Sequence, residues 1–328
     1  MVPHYRSYGE QSLHYFDRPD EGLPPGPLPG PAAWRGDQMR DSGEWRVAFE
    51  LSEIAELDRA LTHARGTGRA MQELTPTDFP LPTLAPVLAG WRTTVAQGRG
   101  FLLVSGLPVE RWGDDDTGLV FWGLGLHLGL PGAQNPQGDL IGHVTATGGE
   151  RHDPLVRLYR TSAEIAFHCD AADAVGLVCL RAAPSGGRSR IASSVTVWNE
   201  VHARRPDLAL RLFAPLPLDL RNEDRSGTLR WIPVPPCRFG GGRLRTFYHS
   251  DYFRSAVRHA DAPPLSEAER ELLDLYEEIA SSHEVSLEMD LAPGDLQLLS
   301  NHTVIHGRSA YEDRAAAPRH LLRLWLSL

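Results

Sequence analysis

The chain has 328 residues, of which 41% are hydrophobic and 23% are charged, and this composition is typical of a soluble globular protein with a large core. All 33 basic residues are arginine, which excludes a lysine Schiff base, a pyridoxal-phosphate lysine and a P-loop lysine. Because the net charge is −9, we expect no bulk attraction to nucleic acid or to an anionic membrane.

The cysteines and the N-terminus indicate the compartment. Cys169, Cys179 and Cys237 form no C-x-x-C pair, so neither a disulfide framework nor a zinc ribbon is expected. No basic region followed by an apolar run opens the chain, and the apolar stretch 118–130 is too short and too broken by glycine to span a bilayer. These features predict a cytoplasmic protein with no membrane partner.

The first part of the chain predicts mainly helices. Residues 1–36 are expected to form an irregular arm, because residues 22–31 alternate proline and glycine. Ser52 is expected to cap a helix, and a second helix should pass through Trp91 and Val95. The run 100–104 predicts a buried strand, and a third helix is expected over about 116–128.

After residue 138 the pattern changes to short β-prone runs separated by turns. The predicted strands are 140–145, 155–159, 165–170, 175–181, 228–234, 243–249, 285–291, 296–299, 303–306 and 321–326. Helices are predicted over 194–204 and 206–213, and Ser266 with Glu269 forms a capping box that opens another. This order predicts a β-rich α+β fold with a double-stranded β-helix (jelly-roll) core and flanking and inserted helices, as a single domain over residues 1–328.

Two of the candidate metal ligands stand two residues apart in a β-prone run. His168 and Asp170 would point to the same face of a strand and could share one metal ion. His306, at the end of a late strand, is a candidate for the third ligand. Two histidines and one carboxylate on one face of an iron leave three open positions, as in non-haem Fe(II) oxygenases.

Other interpretations of these residues remain open at this point. H-x-D is a short pattern that also arises by chance in a chain with 14 histidines. His302 lies four residues before His306, so on a strand it would share the same face and could be the ligand instead.

Two arginines follow His306, one just before the last predicted strand and one within it. Arg319 and Arg323 differ by four positions and should face the same way. Their guanidinium groups could clamp carboxylates by paired hydrogen bonds, whereas the structural alternative is a salt bridge within the scaffold.

Taken together, these motifs resemble the taurine dioxygenase (TauD/TfdA) family of Fe(II)- and 2-oxoglutarate-dependent dioxygenases. The resemblance covers about residues 90–328 and includes the order of His168-Cys169-Asp170, the run 184–189, Gly294-Asp295, Asn301 and His306-Gly307-Arg308, with Arg319 and Arg323 after them.

The resemblance implies a role for each of these residues. Iron would be held by His168, Asp170 and His306, and the family's His-x-Arg ending favours His306 over His302. Arg319 would bind the distal carboxylate of 2-oxoglutarate, with Ser189 as its hydroxyl partner. The cofactors implied are Fe(II), 2-oxoglutarate and O2.

The substrate is expected to be a small molecule. In the resemblance Arg323 matches the arginine that reaches toward the acid group of the substrate, and Glu164 occupies a position that can carry a substrate-binding polar residue. A guanidinium and a carboxylate together would suit a zwitterion, so an amino acid or aminated small acid of specialised metabolism is expected. Trp325, on the face of Arg323, and Tyr248, in an aromatic block, are further candidates for the pocket wall.

The main function expected is therefore oxidation of an unactivated C–H bond, with succinate and CO2 as co-products. Alternatives are an oxidative cyclase or desaturase on the same iron site, a non-catalytic jelly-roll binding protein, and a zinc hydrolase that would leave Arg319 and Ser189 without a task. The sequence leaves homo-oligomerisation open.

Overall fold

The structure is a computed structural model and describes residues 4–148, 160–224, 227–314 and 316–328. Within these residues nine α-helices occur: α1 (Tyr8–Phe16), α2 (Gly36–Ser42), α3 (Leu51–Gly66), α4 (Leu84–Gln97), α5 (Val109–Leu128), α6 (Ser194–Arg204), α7 (Pro206–Ala209), α8 (Ser250–Ser255) and α9 (Glu267–Ser281). Short 3₁₀ turns cover Met71–Glu73, Leu210–Phe213 and Ala256–Arg258.

Seventeen strands accompany the helices in the described residues. They are β1 (Arg46–Ala48), β2 (Phe101–Ser105), β3 (Leu130–Gly132), β4 (Ile141–Val144), β5 (Ile165–His168), β6 (Ala174–Arg181), β7 (Ser185–Gly186), β8 (Ser189–Ser193), β9 (Leu216–Asp219), β10 (Trp231–Val234), β11 (Cys237–Gly240), β12 (Arg243–Thr246), β13 (Ser286–Met289), β14 (Leu296–Ser300), β15 (Val304–Arg308), β16 (Tyr311–Glu312) and β17 (His320–Ser327).

Two sheets carry most of these strands. The larger has seven strands, in the order β1-β2-β14-β6-β17-β3, with β4 also paired to β17. The smaller has the order β13-β8-β15-β5. Only the β1–β2 pair is parallel in these two sheets. The fold is therefore a mixed α/β arrangement with several sheets.

Alternation along β17 shows how the sequence builds the layers. Leu322, Leu324 and Leu326 pack with α3, α4 and α5 in one hydrophobic cluster. Leu321 and Trp325 belong to a second cluster, which also contains Ile191 of β8 and Val304 of β15. Because successive strand residues face opposite sides, β17 buries leucines under the helices and turns its odd-numbered residues toward the smaller sheet.

The smaller sheet has its own helical layer on the other side. Ala192 of β8 and Ile305 of β15 pack with Trp198 of α6 and with Leu272 and Tyr276 of α9. The capping box predicted at Ser266 is confirmed, since its hydroxyl accepts from the backbone N–H of Glu269.

Most predicted strands are present within one to three residues of their predicted bounds, but the predicted strand 155–159 lies outside the described residues. Two predictions near the N-terminus are wrong. Residues 1–36 were expected to be irregular, yet α1 forms there because Ser7 and Glu10 make a capping box. Ser52 does not cap α3, since Glu50 precedes the helix and makes the capping box with Glu53.

Among the described residues no helix combines the length and apolar character needed to cross a membrane.

Candidate active site

Three predicted ligands meet between the two sheets. His168 ends β5 and lies directly opposite His306 of β15, while Asp170 follows in the next loop. One possible ligand atom from each residue lies within 4.8 Å of the others, so the three side chains could hold one metal ion. His168 and Asp170 thus reach the same site although the strand ends at His168 and Asp170 stands in the loop.

Hydrogen bonds fix the orientation of the first two side chains. His168 Nδ1 lies 3.0 Å from the carbonyl oxygen of Ala166, which leaves its Nε2 for a metal. Asp170 Oδ2 accepts a hydrogen bond from Trp325 Nε1 at 3.0 Å, and Oδ1 accepts one from Arg323 Nη1 at 3.3 Å. The Asn301 side chain accepts from the backbone N–H of Asp170 at 3.0 Å and thereby holds the loop.

The protonation states suit a divalent cation. Burial, together with the neighbouring His168, lowers the pKa of His306 to about 3, so its ring is neutral at pH 7. Burial opposes ionisation of Asp170, but the charge of Arg323, with the neighbouring imidazoles and the hydrogen bond from Trp325, outweighs burial and lowers the pKa of that carboxyl. A neutral imidazole and an ionised carboxylate are the forms that bind metals.

The structure brings His306, and not His302, to the other two ligands. The ring of His302 stacks on Tyr15 with centroids 4.6 Å apart, and its Nε2 lies 2.8 Å from Asp173 Oδ1. His320 also has other partners: its Nδ1 lies 2.7 Å from Arg181 Nη2, and its Nε2 lies 2.8 Å from His143 Nδ1.

Beside the two histidines lies a small cavity of about 60 Å³ with a cationic wall. Ser189, Arg308, Arg319 and Arg323 line it together with His168 and His306. Arg319 is only 4% exposed and donates to the carbonyl oxygen of Gly187 at 3.2 Å. Its Nη1 has no hydrogen-bond partner among the described residues, and burial lowers the pKa of the guanidinium. This cavity therefore favours an anion.

Ser189 lies in the same cavity, as predicted, but its hydroxyl donates to Gln297 Oε1 at 2.9 Å. The hydroxyl oxygen can still accept, and its proton can be redirected toward an arriving anion.

Sequence reasoning assigned no role to Arg308. Its Nη2 donates to the carbonyl oxygens of Thr161 and Ala163, and its Nε and Nη1 are buried without a hydrogen-bond partner in the described part of the chain. Burial, and then the charge of Arg319, lower the pKa of Arg308. A signal was available, since Arg308 stands two residues after His306 on one strand and shares its face.

A larger cavity of about 1010 Å³ reaches one of the three candidate ligands, Asp170. Asp170 and Trp325 form part of its wall, with Phe247, His249 and Tyr252 among the aromatic lining residues. Trp325, a predicted pocket residue, thus lines this cavity, whereas Arg323 lines the small cavity and its Nη1 lies 3.3 Å from Asp170 Oδ1.

Glu164 does not face the candidate metal site. Its side chain is 46% exposed, pairs with Arg190, and lines neither cavity. The prediction assumed a regular strand, but the register shifts so that His306 pairs with His168 while Arg308 pairs with Ile165. The additional residue in β5 places Ile165, three before His168, on the cavity side and turns Glu164 outward.

Tyr248 also lies away from the cavity. Its ring is fully buried, stacks on Tyr276 with centroids 4.0 Å apart, and donates its hydroxyl to the carbonyl oxygen of Leu273 at 3.3 Å. Its sequence neighbours Phe247 and His249 line the large cavity, because adjacent extended residues point to opposite sides.

Two histidines and a carboxylate, next to a cationic cavity and a large one, define a candidate non-haem iron centre of the oxygenase type. The family comparison agrees: residues 64–325 match the model of the family described as taurine catabolism dioxygenase TauD, TfdA. The chain belongs to this family and is a non-haem Fe(II)- and 2-oxoglutarate-dependent dioxygenase that uses Fe(II), 2-oxoglutarate and O2.

Relatives extend over nearly the whole chain. FR-33289 synthase of Streptomyces rubellomurinus is 29% identical over 307 residues, which cover 92% of this chain and 91% of that protein. The solved structure of an asparagine oxygenase with Fe(II), 2S,3S-3-hydroxyasparagine and succinate has a TM-score of 0.69 at 19% identity and covers 87% of this chain and 94% of its own.

A second solved structure, the non-haem iron oxygenase OrfP with Fe, succinate and (3S)-hydroxy-L-Arg, has a TM-score of 0.62 at 14% identity. It covers 86% of this chain and 94% of its own. At these identities, the two solved structures establish the shared fold.

Proposed function

We propose that His168, Asp170 and His306 are the iron ligands of this oxygenase. The single observation that supports this most directly is the meeting of their ligand atoms within 4.8 Å, between two sheets, with His306 neutral and Asp170 ionised. Bound Fe(II) with 2-oxoglutarate and O2 would supply the oxidant that breaks a substrate C–H bond, while 2-oxoglutarate loses CO2 and becomes succinate.

Arg319 is proposed to bind the distal carboxylate of 2-oxoglutarate, with Ser189 and Arg308 beside it. Three buried arginines line one small cavity, and two of them keep nitrogen atoms without partners in the described residues. A buried guanidinium is costly unless an anion compensates its charge. A dicarboxylate that reaches from this wall to the iron would supply that compensation.

The substrate is proposed to be an amino acid or an aminated small acid bound in the large cavity. Arg323 lines the small cavity, donates to Asp170 on the wall of the large one, and would bind the acid group, while Trp325 would form the wall next to the reacting carbon. The amino acids bound in the two solved structures, a hydroxyasparagine and a hydroxyarginine, support the same substrate class.

The protein scaffold would contribute orientation and exclusion of water. Trp325 and Arg323 hold the carboxylate of Asp170, Asn301 holds its loop, and the buried walls of both sheets surround the site. We further propose that the two main sheets form a double-stranded β-helix, that the chain is one domain, and that it acts in the cytoplasm, where its three buried free cysteines would stay reduced.

The test is succinate formation from 2-oxoglutarate across a panel of amino acids, with Fe(II) and O2 supplied. The wild-type protein should form succinate faster with one class of amino acid, and His168→Ala should abolish that stimulation without unfolding the chain. A panel in which amineless acids stimulate most would contradict the proposed substrate class, and full activity of His168→Ala would contradict the ligand assignment.

A further inference from the structure

Tyr311 of β16 contacts two of the guanidinium groups in the cationic wall of the small cavity. The centroid of its ring lies 4.6 Å from Cζ of Arg308 and 5.2 Å from Cζ of Arg319. Both distances are within the range of about 6 Å at which an aromatic ring attracts a cation. Tyr311 is only 7% exposed and is not among the described residues that line the cavity. Its influence on a ligand in the cavity therefore passes through the two arginines.

This wall brings like charges together with few hydrogen bonds to orient them. Arg308 and Arg319 are both buried, and burial lowers the pKa of each guanidinium. Each donates to backbone carbonyl oxygens through its Nη2. Nε and Nη1 of Arg308 and Nη1 of Arg319 have no hydrogen-bond partner in the described part of the chain. The electron-rich face of the Tyr311 ring stabilises both cations and restricts their movement.

The position of the Tyr311 ring is set by its backbone. Tyr311 lies opposite Gly186 where β16 pairs with β7, and its N–H donates to the carbonyl oxygen of Ser162 at 3.0 Å. Gly187 has a φ of +71°, and a Cβ there would lie 2.9 Å from Arg319 Nε and 3.4 Å from Tyr311 Cβ. Glycine at this position thus allows the two side chains to approach the backbone closely.

We propose that Tyr311 is a positioning residue for the co-substrate: its ring holds Arg308 and Arg319 in the orientation that receives the distal carboxylate of 2-oxoglutarate. The inference rests on the proposed function, which assigns that carboxylate to Arg319. Because the two cations are ordered before the carboxylate arrives, less conformational entropy is lost on binding. Loss of the ring should therefore weaken binding of 2-oxoglutarate and leave the chemical step unchanged.

The experiment measures the Kd of 2-oxoglutarate from the Fe(II)–2-oxoglutarate absorption band in the absence of O2. Tyr311→Leu removes the aromatic face, Tyr311→Met takes its place if the leucine variant does not fold, and Tyr311→Phe keeps the face. A second probe, 2-oxovalerate, has a methyl group where 2-oxoglutarate has its distal carboxylate.

Trp112→Leu is the matched control. Trp112 is 9% exposed, its ring centroid lies 5.6 Å from Cζ of Arg111, and it lines neither cavity. The control therefore removes a buried ring in contact with a guanidinium, but away from the site. It should lower thermal stability and leave the Kd of 2-oxoglutarate unchanged.

Tyr311→Leu should raise the Kd of 2-oxoglutarate by about 5- to 30-fold, whereas Tyr311→Phe should stay within about twofold of the wild type. At saturating 2-oxoglutarate, the rate of succinate formation should be the same in all three proteins, so the effect lies in the apparent constant and not in kcat. For 2-oxovalerate, Tyr311→Leu and the wild type should have equal Kd values, because this acid lacks the group that the arginines bind.

Four outcomes would overturn the inference: an unchanged Kd of 2-oxoglutarate without the ring, a loss in Tyr311→Phe as large as in Tyr311→Leu, an equal loss in Trp112→Leu, or an equal loss of 2-oxovalerate binding. Failure of the proposed function looks different. In that case Arg319→Ala would bind 2-oxoglutarate as tightly as the wild type, or the wild type would form no Fe(II)–2-oxoglutarate band.

Discussion

Arg319 is the residue whose removal should affect the co-substrate most strongly. Its guanidinium is 4% exposed, and its Nη1 has no partner in the described residues. Removing one member of a buried ion pair costs about 3–5 kcal/mol, which corresponds to a factor of a hundred or more in affinity. Arg319→Ala should therefore raise the apparent constant for 2-oxoglutarate at least about a hundredfold, measured by succinate formation.

Arg188→Ala is the matched control, since Arg188 precedes Ser189 but is 55% exposed and pairs with Glu288 and Asp290 on the surface. It should leave the constant for 2-oxoglutarate unchanged. If Arg319→Ala behaves like this control, the carboxylate is bound elsewhere, and Arg323 or Arg308 becomes the first candidate.

His306 and His302 can be separated by one pair of variants. His306→Ala should lose bound iron, measured by metal analysis and by the Fe(II)–2-oxoglutarate band. His302→Ala should keep iron but unfold at a lower temperature, because it removes the hydrogen bond to Asp173 and the stacking on Tyr15. Iron retained by His306→Ala and lost by His302→Ala would reverse the ligand assignment.

At the scale of elements, the period of two in a strand predicted part of the site. His168 meets Asp170, and Arg319 and Arg323 line one cavity, although Asp170 and Arg319 lie just outside β5 and β17. The prediction that Glu164 faces the pocket is wrong because a register shift in β5 depends on pairing with β15, and local sequence does not encode that pairing. The prediction that Tyr248 lines the pocket is wrong because aromatic composition does not indicate which side of a segment faces the core.

Helix α1 could have been predicted, since Ser7 and Glu10 stand at capping-box spacing before it. Its contacts could not have been predicted, because they join residues between 159 and 316 positions apart, such as His14 with Asp173 and Gln11 with Ser327. The proline and glycine content of residues 22–31 led to the prediction of an irregular arm over residues 1–36, although a short helix precedes that segment.

The anchoring of α1 can be tested through the hydroxyl of Tyr15. Tyr15→Phe leaves two buried carbonyl oxygens, those of Thr246 and Asn301, without that donor, so the free energy of unfolding should fall by about 1–3 kcal/mol in urea titrations. Iron binding should persist, because no metal ligand is altered. Tyr5→Phe, another aromatic residue of the large cavity, is the control and should have a smaller effect. Equal stability of Tyr15→Phe and Tyr5→Phe would show that α1 is held by its other contacts.

Across the whole molecule, Asp173 connects distant parts of the chain to the loop that carries Asp170. Its carboxylate is held by His14 and Arg18 of the N-terminal region, by His302, and by the backbone N–H of Leu328 at 2.9 Å. Burial opposes the charge of Asp173, but these partners, His302 first, outweigh burial and lower the pKa of the carboxyl well below its usual range.

This network gives the protein a defined sensitivity to acid. Because the pKa of Asp173 is lower in the folded than in the unfolded chain, its stabilisation is complete above about pH 4 and is lost as the pH falls toward the folded pKa. The pKa of His302 is also lowered, because the effect of burial exceeds the opposing effect of Asp173. Proton uptake by this group below about pH 6.5 therefore destabilises the fold as well.

Asp173→Asn should lower the free energy of unfolding at pH 7 by about 3 kcal/mol. It should also flatten the fall in stability between about pH 4 and pH 2, relative to the wild type, in urea titrations at each pH. Asp290→Asn, at a 78% exposed carboxylate, is the control and should leave the profile unchanged. A profile for Asp173→Asn as steep as that of the wild type would show that other carboxylates cause the loss of stability in acid.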